Sequence, residues 1–507
     1  MKPIKPGRAG LLLGIALTLP SLTVPRDASC QSPALLPPDH WAAEAVRTLD
    51  ALGALGGTVD RGRRRLTLGE AARLIWSADA NEDPTAAAVL ERVRRRLERD
   101  LPGAREPGPP DARFRLQGAA GAVAIVRADE VGTRTGRLTG ARDPDGKFLT
   151  VDEQPSPRRP DGVRAEPNGF LAVGNHRVAL AGEARPTSNG EVVLAAYAAA
   201  MAGPVSFWAG RSAPGYGPGR RGSQVLSGDR EVLGGGLATV RPFRLPWFFD
   251  ALGDVHVETF LGALERNREI DDPLLWGMRV SATPHPRFGL GASRAAMFAG
   301  EGNEGSDFTH FLEILVLERR PGLPAGNQTG ALDAWFRPPL GGVPIVAWVE
   351  WGSDDTAGGL FQVPGIVAGL EAPAWPGLPA LGIAFEATWL AGQGGGNGPW
   401  YWHGFFPAGW AVKGEPLGHP LGGQGTEFVL ALDVNLREAA RMSADLFRRD
   451  RGPENLYAPV WEGTSNGAEL RVDFQSSRLG EVSVLAYVED GDGWTRGGGS
   501  IAARMRF

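Results

Sequence analysis

The sequence is poor in the residues that most often carry covalent or metal chemistry. It has a single cysteine, Cys30, in 507 residues, which excludes a disulfide framework and a cysteine-based metal site. It contains no His-Glu-x-x-His pair, so one common hydrolase signature is missing. We therefore expect a protein without enzymatic activity, metal or cofactor.

Long apolar runs and excess positive charge are also missing. No stretch of about 18 uninterrupted apolar residues follows the N-terminus, so no transmembrane helix is expected. The formal net charge of -5 argues against nucleic acid as a partner. Residues 1–30, in which basic residues precede the apolar run 11–19, predict an export signal peptide. Lipidation of Cys30 is the alternative to ordinary cleavage near this position.

Residues 36–102 predict a small helical domain on the periplasmic side. Apolar spacing indicates helices from His40 to Gly53, with Asp39 as N-cap, over 66–78 and over 84–101. Thr67 and Glu70 predict a capping box for the second helix. The arginines of the third helix are interpreted as a solvated face. The Pro-rich residues 103–113 predict a linker.

From residue 114 to residue 507 the apolar pattern changes to period two, which is typical of β-strands. The stretch FVLALDVNLR at 428–437 places Phe428 and Leu430 on one face and Asp433 on the other. Such charged faces are costly in a dry core but not in a wet lumen. An alternating last strand that ends in the aromatic Phe507 is similar to the terminal signal of outer-membrane proteins. We therefore predict a mainly β protein, a large antiparallel transmembrane barrel of about 16–18 strands with a small N-terminal helical domain.

Eighteen strands are predicted, with an uncertainty of about two. The Gly- and Pro-rich segments 352–379, 391–400 and 413–425 are predicted as loops that fold into or over the barrel. The predicted strands are 114–127, 169–183, 190–202, 204–212, 234–241, 254–265, 274–284, 287–298, 308–318, 330–337, 344–352, 380–391, 400–411, 424–436, 438–449, 466–475, 480–489 and 497–507.

The helical region carries a weak motif of its own. Asp-His-Trp-Ala at 39–42, a Leu-rich stretch and Leu-Thr-x-x-Glu-Ala-Ala from residue 66 resemble an S-layer-homology module. This resemblance implies docking on peptidoglycan or another cell-wall polymer. The alternative is a helical cap that packs on the rest of the chain.

Two motifs in the barrel region carry a more specific resemblance. The first is GRSAPGYGPGRRGSQVLS at 210–227, and the second is WYWHGFFPAGWAVKGEPLGH at 400–419. In this order they resemble the hallmark regions of the Wzi-type capsule assembly proteins. Trp410 replaces the usual Tyr and Leu417 the usual Ile. The match is weaker in the first 110 residues.

The Wzi resemblance implies a lectin-like, non-enzymatic barrel in a Gram-negative-type outer membrane. Capsular or exported polysaccharide and outer-membrane lipid are the expected partners. Arginine offers a planar fork for carboxylates, and we interpret the tryptophans as surfaces for sugars to stack on. Salt-bridge scaffolding for the arginines and interface girdles for the tryptophans remain alternatives. The predicted ligand-binding residues are Arg211, Tyr216, Arg220, Arg221, Trp400, Trp402, His403, Trp410 and His419.

Two other function classes remain open on the sequence. A porin or solute channel with a cell-wall-docking N-terminal module would need an open lumen with charged walls. An outer-membrane hydrolase would need a serine beside a histidine. His256 and Glu258 share one strand face, but no serine is placed near them by the sequence.

Overall fold

The computed structural model describes most of the chain. The predicted signal peptide, the linker at 103–113, Asp39 and Phe507 lie outside the described residues. The described residues are 32–37, 40–100, 114–129, 137–142, 148–151, 162–186, 192–264, 270, 272–300, 326–340, 342–354, 363–392, 400–403, 406, 409–412, 415–437, 440–458, 461–476 and 480–506.

Eighteen antiparallel strands form one closed barrel, which confirms the predicted fold class. Each strand pairs with its neighbours in the chain, and the first strand also pairs with the last, with Ala119 opposite Arg506. The strands are β1 Arg115–Asp129, β2 Gly162–Gly174, β3 Val178–Pro186, β4 Val192–Ala202, β5 Val205–Ser212, β6 Val232–Thr239, β7 Asp254–Ala263, β8 Leu274–His285, β9 Phe288–Phe298, β10 Asn327–Phe336, β11 Val346–Asp354, β12 Val363–Ala372, β13 Leu381–Leu390, β14 Gly425–Arg437, β15 Ala440–Arg451, β16 Gly463–Ser476, β17 Gly480–Gly491 and β18 Trp494–Arg506.

Two short hairpins lie outside the barrel sheet. One pairs Arg137–Arg142 with Phe148–Val151, and the other pairs Ala411–Val412 with Glu415–Pro416. Both belong to connections between barrel strands.

Most predicted strands agree with the structure to within a few residues, but three predictions are wrong. The predicted strand 169–183 is two strands, β2 and β3, separated by a turn at 175–177. Residues 363–372, predicted as part of a loop, form β12. The described residues of 400–411 form turns and buried bridges rather than a barrel strand. The predicted strand 308–318 lies outside the described residues.

Three helices precede the barrel: α1 Trp41–Ala51, α2 Leu68–Trp76 and α3 Pro84–Asp100. The capping box of Thr67 and Glu70 is present at the start of α2. The N-cap of α1 is His40, whose side chain accepts from the Ala42 amide, so the prediction of Asp39 is wrong. Among the described helices, none is long and apolar enough to cross a membrane.

The arginines of α3 are not the uniform solvated face that the sequence suggested. Arg94 donates to the carbonyls of Trp76 and Ala78 at 2.9 and 2.6 Å. The guanidinium of Arg96 lies 4.7 Å from the ring centre of Trp41. These arginines therefore fasten α3 to the other helices, because a long side chain can pack its stem and still satisfy its head group.

Residues along the barrel strands alternate between two environments. On β14, Phe428 and Leu430 are exposed on the outside, whereas Glu427 and Val429 are buried inside. On β18, Ile501 and Met505 are exposed. The outer surface is thus apolar and the inner surface carries charges, which is the arrangement of a barrel in lipid.

The two ends of the barrel differ in the length of their connections. At one end the strands are joined by turns as short as 203–204 and 286–287. At the opposite end longer stretches of chain join successive strands, namely 213–231, 299–326 and 391–424. We call these the short-turn end and the long-loop end. The helices lie at the short-turn end, where Thr58 donates to Asp254 at 2.9 Å.

Candidate functional site

Three chain segments meet inside the barrel and fill much of its lumen. They are the N-terminal insert (58–67), between α1 and α2, the glycine-arginine loop (213–231) and the aromatic loop (400–424). The insert enters from the short-turn end and the two loops fold in from the long-loop end. We call the three segments together the plug. Its apolar residues form one buried cluster with those of the helices, including Leu49, Leu74, Val225, Trp410 and Leu421.

The N-terminal insert carries four buried arginines between positions 61 and 65. Arg65 donates to Glu183 of β3 at 2.5 Å, and Arg63 donates to the carbonyl of Thr239 at 2.6 Å. A buried guanidinium without a partner costs several kcal/mol. These contacts therefore favour the position of the insert inside the barrel.

Asp60 fastens the insert to β8. Its two carboxylate oxygens accept hydrogen bonds from Arg279, both at 2.8 Å. Arg279 is 1 % exposed and also donates to Asp333 at 2.5 and 3.0 Å. Burial alone would raise the pKa of Asp60, but the Arg279 guanidinium outweighs burial and lowers this pKa to about 2. Asp60 is therefore charged at neutral pH.

The glycine-arginine loop turns tightly under the barrel mouth. Gly217 has a φ of 95°, and a Cβ there would lie 2.4 Å from the hydroxyl of Ser223, so only glycine fits this turn. The next turn, at Arg220 and Arg221, is hydrogen-bonded to β13 of the barrel wall. The Arg221 amide donates to Glu386 at 2.9 Å, and the Arg220 amide donates to the other oxygen of the same carboxylate.

The aromatic loop lies on the glycine-arginine loop. The indole of Trp410 donates to the Val225 carbonyl at 2.9 Å, and the Tyr401 hydroxyl donates to the Gln224 carbonyl at 2.8 Å. Trp400 donates to the carbonyl of Pro364 on β12 at 3.1 Å. The two motifs that carried the family resemblance are thus brought together, although nearly two hundred residues separate them along the chain.

The nine predicted ligand-binding residues differ widely in exposure. Arg211, at the long-loop end of β5, has 46 % of its side chain exposed and forms an ion pair with Glu231 at 3.5 Å. Trp402 is half-buried and His403 is buried. Four more have no exposed surface, and these are Tyr216, Trp400, Trp410 and His419.

Arg220 and Arg221 reach from the loop to the opposite wall. Arg220 lies 2.8 Å from Asp433 and 3.7 Å from Asp445. Arg221 lies 3.1 Å from Asp445 and 3.7 Å from Glu469. Their side chains are 27 % and 11 % exposed. Burial would lower both pKa values, but the facing carboxylates outweigh it and raise them, so both arginines stay charged.

The two predicted histidines have structural contacts. His419 accepts at Nδ1 from the Leu421 amide at 3.1 Å, and its Nε2 lies 3.1 Å from the hydroxyl of Thr388. Burial lowers the pKa of His419 to about 4. His403 forms a backbone bridge with Phe406. Within the described residues, no group of three His, Cys, Asp or Glu side chains is arranged to hold a metal ion.

Two adjoining cavities remain in the lumen between the helices and the glycine-arginine loop. Their volumes are about 370 and about 150 Å³. Arg220 lines both cavities and Arg221 lines the larger one. The helix residues Trp41 and Arg96 border both from the short-turn end.

The arginines of the N-terminal insert are not among the residues that the sequence predicts for the site. Its run Arg-Gly-Arg-Arg-Arg at 61–65 reads as an ordinary solvated basic patch. A signal was nevertheless present, because the predicted inner faces of the barrel carry many Asp and Glu residues. Such carboxylates need cations close by when they are buried, and this run is one of the densest sources of cations in the chain.

The barrel region matches a model of a known protein family. The model is described as capsule assembly protein Wzi, and it matches residues 163–493. No curated protein matches the chain.

Solved structures similar to this fold include an outer membrane protein of Escherichia coli. It is described as Wzi, involved in group 1 capsule assembly and a carbohydrate-binding β-barrel. The TM-score is 0.70 and the identity 18 %, covering 94 % of this chain and 99 % of that chain. OpdQ of Pseudomonas aeruginosa has a TM-score of 0.45 and 8 % identity, covering 78 % of this chain and 98 % of that chain. The latter similarity is too low to bear on function.

Proposed function

The chain belongs to the Wzi family of capsule assembly proteins, and from this premise we propose that it is an outer-membrane barrel that binds acidic capsular or exported polysaccharide at the cell surface. The role is non-enzymatic, in that the protein holds or organises the polymer. The likeness of the fold to a carbohydrate-binding barrel supports this proposal.

The proposed orientation follows from the two ends of the barrel. Outer-membrane barrels have short periplasmic turns and longer extracellular loops. The short-turn end, with the helices, then faces the periplasm, and the long-loop end faces the capsule. Exposed apolar side chains on the strands, such as Leu332 and Trp351, support contact with membrane lipid between the two ends.

The plug is the observation that carries the proposal. A solute channel needs an open lumen, whereas here two loops and the N-terminal insert occupy it from both ends. The loops are fastened to the wall by charged groups, as Arg220 is to Asp433 at 2.8 Å. A filled lumen favours a protein that presents a fixed surface over one that conducts solutes.

Among the predicted residues, Arg211 is the one best placed to contact polysaccharide directly. Its guanidinium is exposed near the proposed cell surface. Its contact with the buried Glu231 is long, at 3.5 Å, and engages one terminal nitrogen of the guanidinium, which leaves the other donors exposed. A uronate or other acidic sugar can therefore compete for the guanidinium, which binds carboxylates through two parallel hydrogen bonds.

The remaining predicted residues are proposed to shape the binding surface from below. Arg220 and Arg221 neutralise wall carboxylates, and buried aromatic residues such as Trp410 fix one loop on the other. Loss of one of these side chains would then disturb the surface indirectly. The proposal thus distinguishes direct contact by Arg211 from positioning by Arg220 and Arg221.

The test is polysaccharide binding by the refolded full chain, with Arg211→Ala compared with the Arg220→Ala/Arg221→Ala double variant. Arg448 is an exposed arginine of β15, and like Arg211 it lies near the long-loop end of the barrel. Arg448→Ala is therefore the matched control for loss of charge. We expect weaker polysaccharide binding for Arg211→Ala and for the double variant. Only the double variant is expected to change amide hydrogen exchange in the glycine-arginine and aromatic loops. Binding of Arg211→Ala equal to the control would remove Arg211 from the site.

The porin alternative makes a separate electrical prediction. A porin would give a large, steady conductance in a planar lipid bilayer, whereas the plug predicts silence. Steady conductance together with absence of polysaccharide binding would overturn the proposed function.

The peptidoglycan partner suggested by the N-terminal motif is a second proposal. Its support is the S-layer-like motif, but several residues of that motif face inward. Trp41 lines the lumen cavities and Leu49 is buried in the plug cluster. This arrangement favours the helices as a periplasmic cap on the barrel. Co-sedimentation of the full chain with purified peptidoglycan tests the docking role, and the cap alone predicts no co-sedimentation.

A further inference from the structure

The larger lumen cavity has an imbalance of charge. It is bordered by nine arginines and six carboxylates. Its volume of about 370 Å³ lies within the range of small-molecule sites, about 300–1,000 Å³. Helix α1 borders one side, the glycine-arginine loop another, and β15–β18 with β1, β2 and β3 supply the wall. This cavity is separate from the exposed surface around Arg211.

Most of the cavity arginines are matched by a carboxylate within 4 Å. The matched pairs are Arg96 with Asp100, Arg185 with Asp229, Arg220 with Asp433, Arg221 with Asp445, Arg441 with Asp433, Arg471 with Asp473 and Arg504 with Glu481. In the part of the chain that the structure describes, Arg47 and Arg64 form no such pair.

Arg64 is 7 % exposed. One terminal nitrogen of its guanidinium donates to the Gly219 carbonyl. Its Nε is buried and has no hydrogen-bond partner among the described residues. Since Arg64 borders the cavity, its positive charge faces this space without a neutralising carboxylate in contact.

Arg47 comes from a different segment, the second turn of α1, and borders both cavities. Two carboxylates act on Arg47, but both already form ion pairs with other arginines. Glu44 pairs with Arg441 and Glu371 pairs with Arg61. Burial, and next the charge of Arg64, lower the pKa of Arg47 to about 10. Arg47 therefore remains protonated at neutral pH, and the two guanidinium groups repel each other.

Such a pair of cations, of which Arg64 is buried and Arg47 is half-buried, is costly unless a counter-charge is present. We propose that Arg47 and Arg64 form an internal binding site for a small oxyanion in the lumen of the barrel. Guanidinium groups bind carboxylate, sulfate and phosphate through charge-assisted hydrogen bonds. The ligand is either a free inorganic oxyanion or the carboxylate of an acidic monosaccharide, which the cavity has room to hold.

The experiment is isothermal titration of the full chain in detergent micelles at pH 7 and constant ionic strength. The probes are sulfate, phosphate and galacturonate. Arg47→Gln and Arg64→Gln are compared with Arg95→Gln, which removes an exposed arginine of α3 that pairs with Glu91. The wild type and the Arg95→Gln control are expected to bind one equivalent.

Each cavity variant is expected to bind about 10- to 150-fold more weakly, as for the loss of one charge-assisted hydrogen bond. Saturation by sulfate or phosphate assigns the site to a free oxyanion, whereas saturation by galacturonate alone assigns it to an acidic sugar. Equal affinity in all four proteins, or no saturable binding of any probe, overturns the proposal. If Arg64→Gln does not fold, Arg47→Gln decides.

This site does not depend on polysaccharide binding at the cell surface. Arg47→Gln is expected to leave polysaccharide binding unchanged, and Arg211→Ala is expected to leave oxyanion binding unchanged. Failure of one proposal is therefore distinguishable from failure of the other.

Discussion

Replacing Asp60 by Asn is expected to loosen the N-terminal insert while the barrel stays closed. The variant removes the negative charge of the carboxylate that accepts two hydrogen bonds of 2.8 Å from Arg279. Hydrogen bonds to charged groups contribute about 1.5–3 kcal/mol each. Arg279 can still donate one hydrogen bond to the neutral amide oxygen of the new Asn side chain. It also retains its ion pair with Asp333 at 2.5 Å. We therefore expect the local stability of the insert to fall by about 2–3 kcal/mol. This is less than the ~3–5 kcal/mol lost when one partner of a buried ion pair is removed and the other charge stays uncompensated.

Hydrogen exchange followed by mass spectrometry measures this loss. A loss of 2–3 kcal/mol corresponds to roughly 30- to 150-fold faster exchange in peptides that cover residues 58–67. Peptides from β8 should exchange as in the wild type. Glu91→Gln is the matched control, because its pair with Arg95 is exposed on both sides and is worth little. If Asp60→Asn exchanges no faster than this control, the insert is not held by Arg279.

Two further predictions concern the aromatic loop. Tyr401→Phe removes the hydroxyl that donates to the Gln224 carbonyl and accepts from the His419 amide. Stranding these buried groups costs about 1–3 kcal/mol, so exchange of the His419 amide should rise at least about fivefold, and unchanged exchange would show that the loop is held elsewhere. Because burial lowers the pKa of His419 from 6.5 to about 4, the folded loop binds fewer protons than the unfolded one. Loop stability should therefore be complete above pH 6.5 and fall as the pH drops towards 4. A His419→Gln variant should lack this pH dependence, and a wild-type profile that is flat over the same range would contradict the assignment.

The barrel was predictable because its signal is repeated. On strands such as β14 and β16, lipid-facing side chains alternate with lumen-facing charges, and Leu470 is exposed as the pattern predicted. The closed sheet follows, since an open edge in lipid leaves backbone groups unpaired. The predicted number of strands also agrees with the structure, but partly because separate errors compensate.

These errors have physical causes. The stretch 400–411 is apolar because Trp400 and Trp410 are buried between loops, and composition cannot distinguish this burial from contact with lipid. Strand β12 begins with Val363 and Pro364, and proline is rare inside strands. Pro364 is tolerated near the strand end, where its carbonyl accepts from the Trp400 indole. The turn after Gly174 interrupts a longer apolar stretch, and the apolar pattern alone does not mark it.

The candidate site was predictable only as far as its motifs. The two loops could be recognised separately, but their contact through Trp410 and Val225 arises only from the tertiary structure. The same holds for Arg220, which meets Asp433 and Asp445 from distant strands. Arg47 and Arg64 carry no motif at all, and what sets them apart from the other arginines of the larger cavity is that no described carboxylate lies within 4 Å of them.

The plug also has a consequence for how the protein is made. The Glu44 carboxylate contacts Arg441, which is 397 residues later in the chain, and the first barrel strand must wait for the last one to close the sheet. Contacts of such long range form slowly, because loop-closure entropy is lost before they stabilise the fold. The arginines at 61–65 are synthesised early, whereas barrel carboxylates that pair with them, such as Glu183 and Glu371, are synthesised later. Until the strands assemble around it, the insert is a solvated cationic segment, and its entry into the lumen is coupled to closure of the barrel.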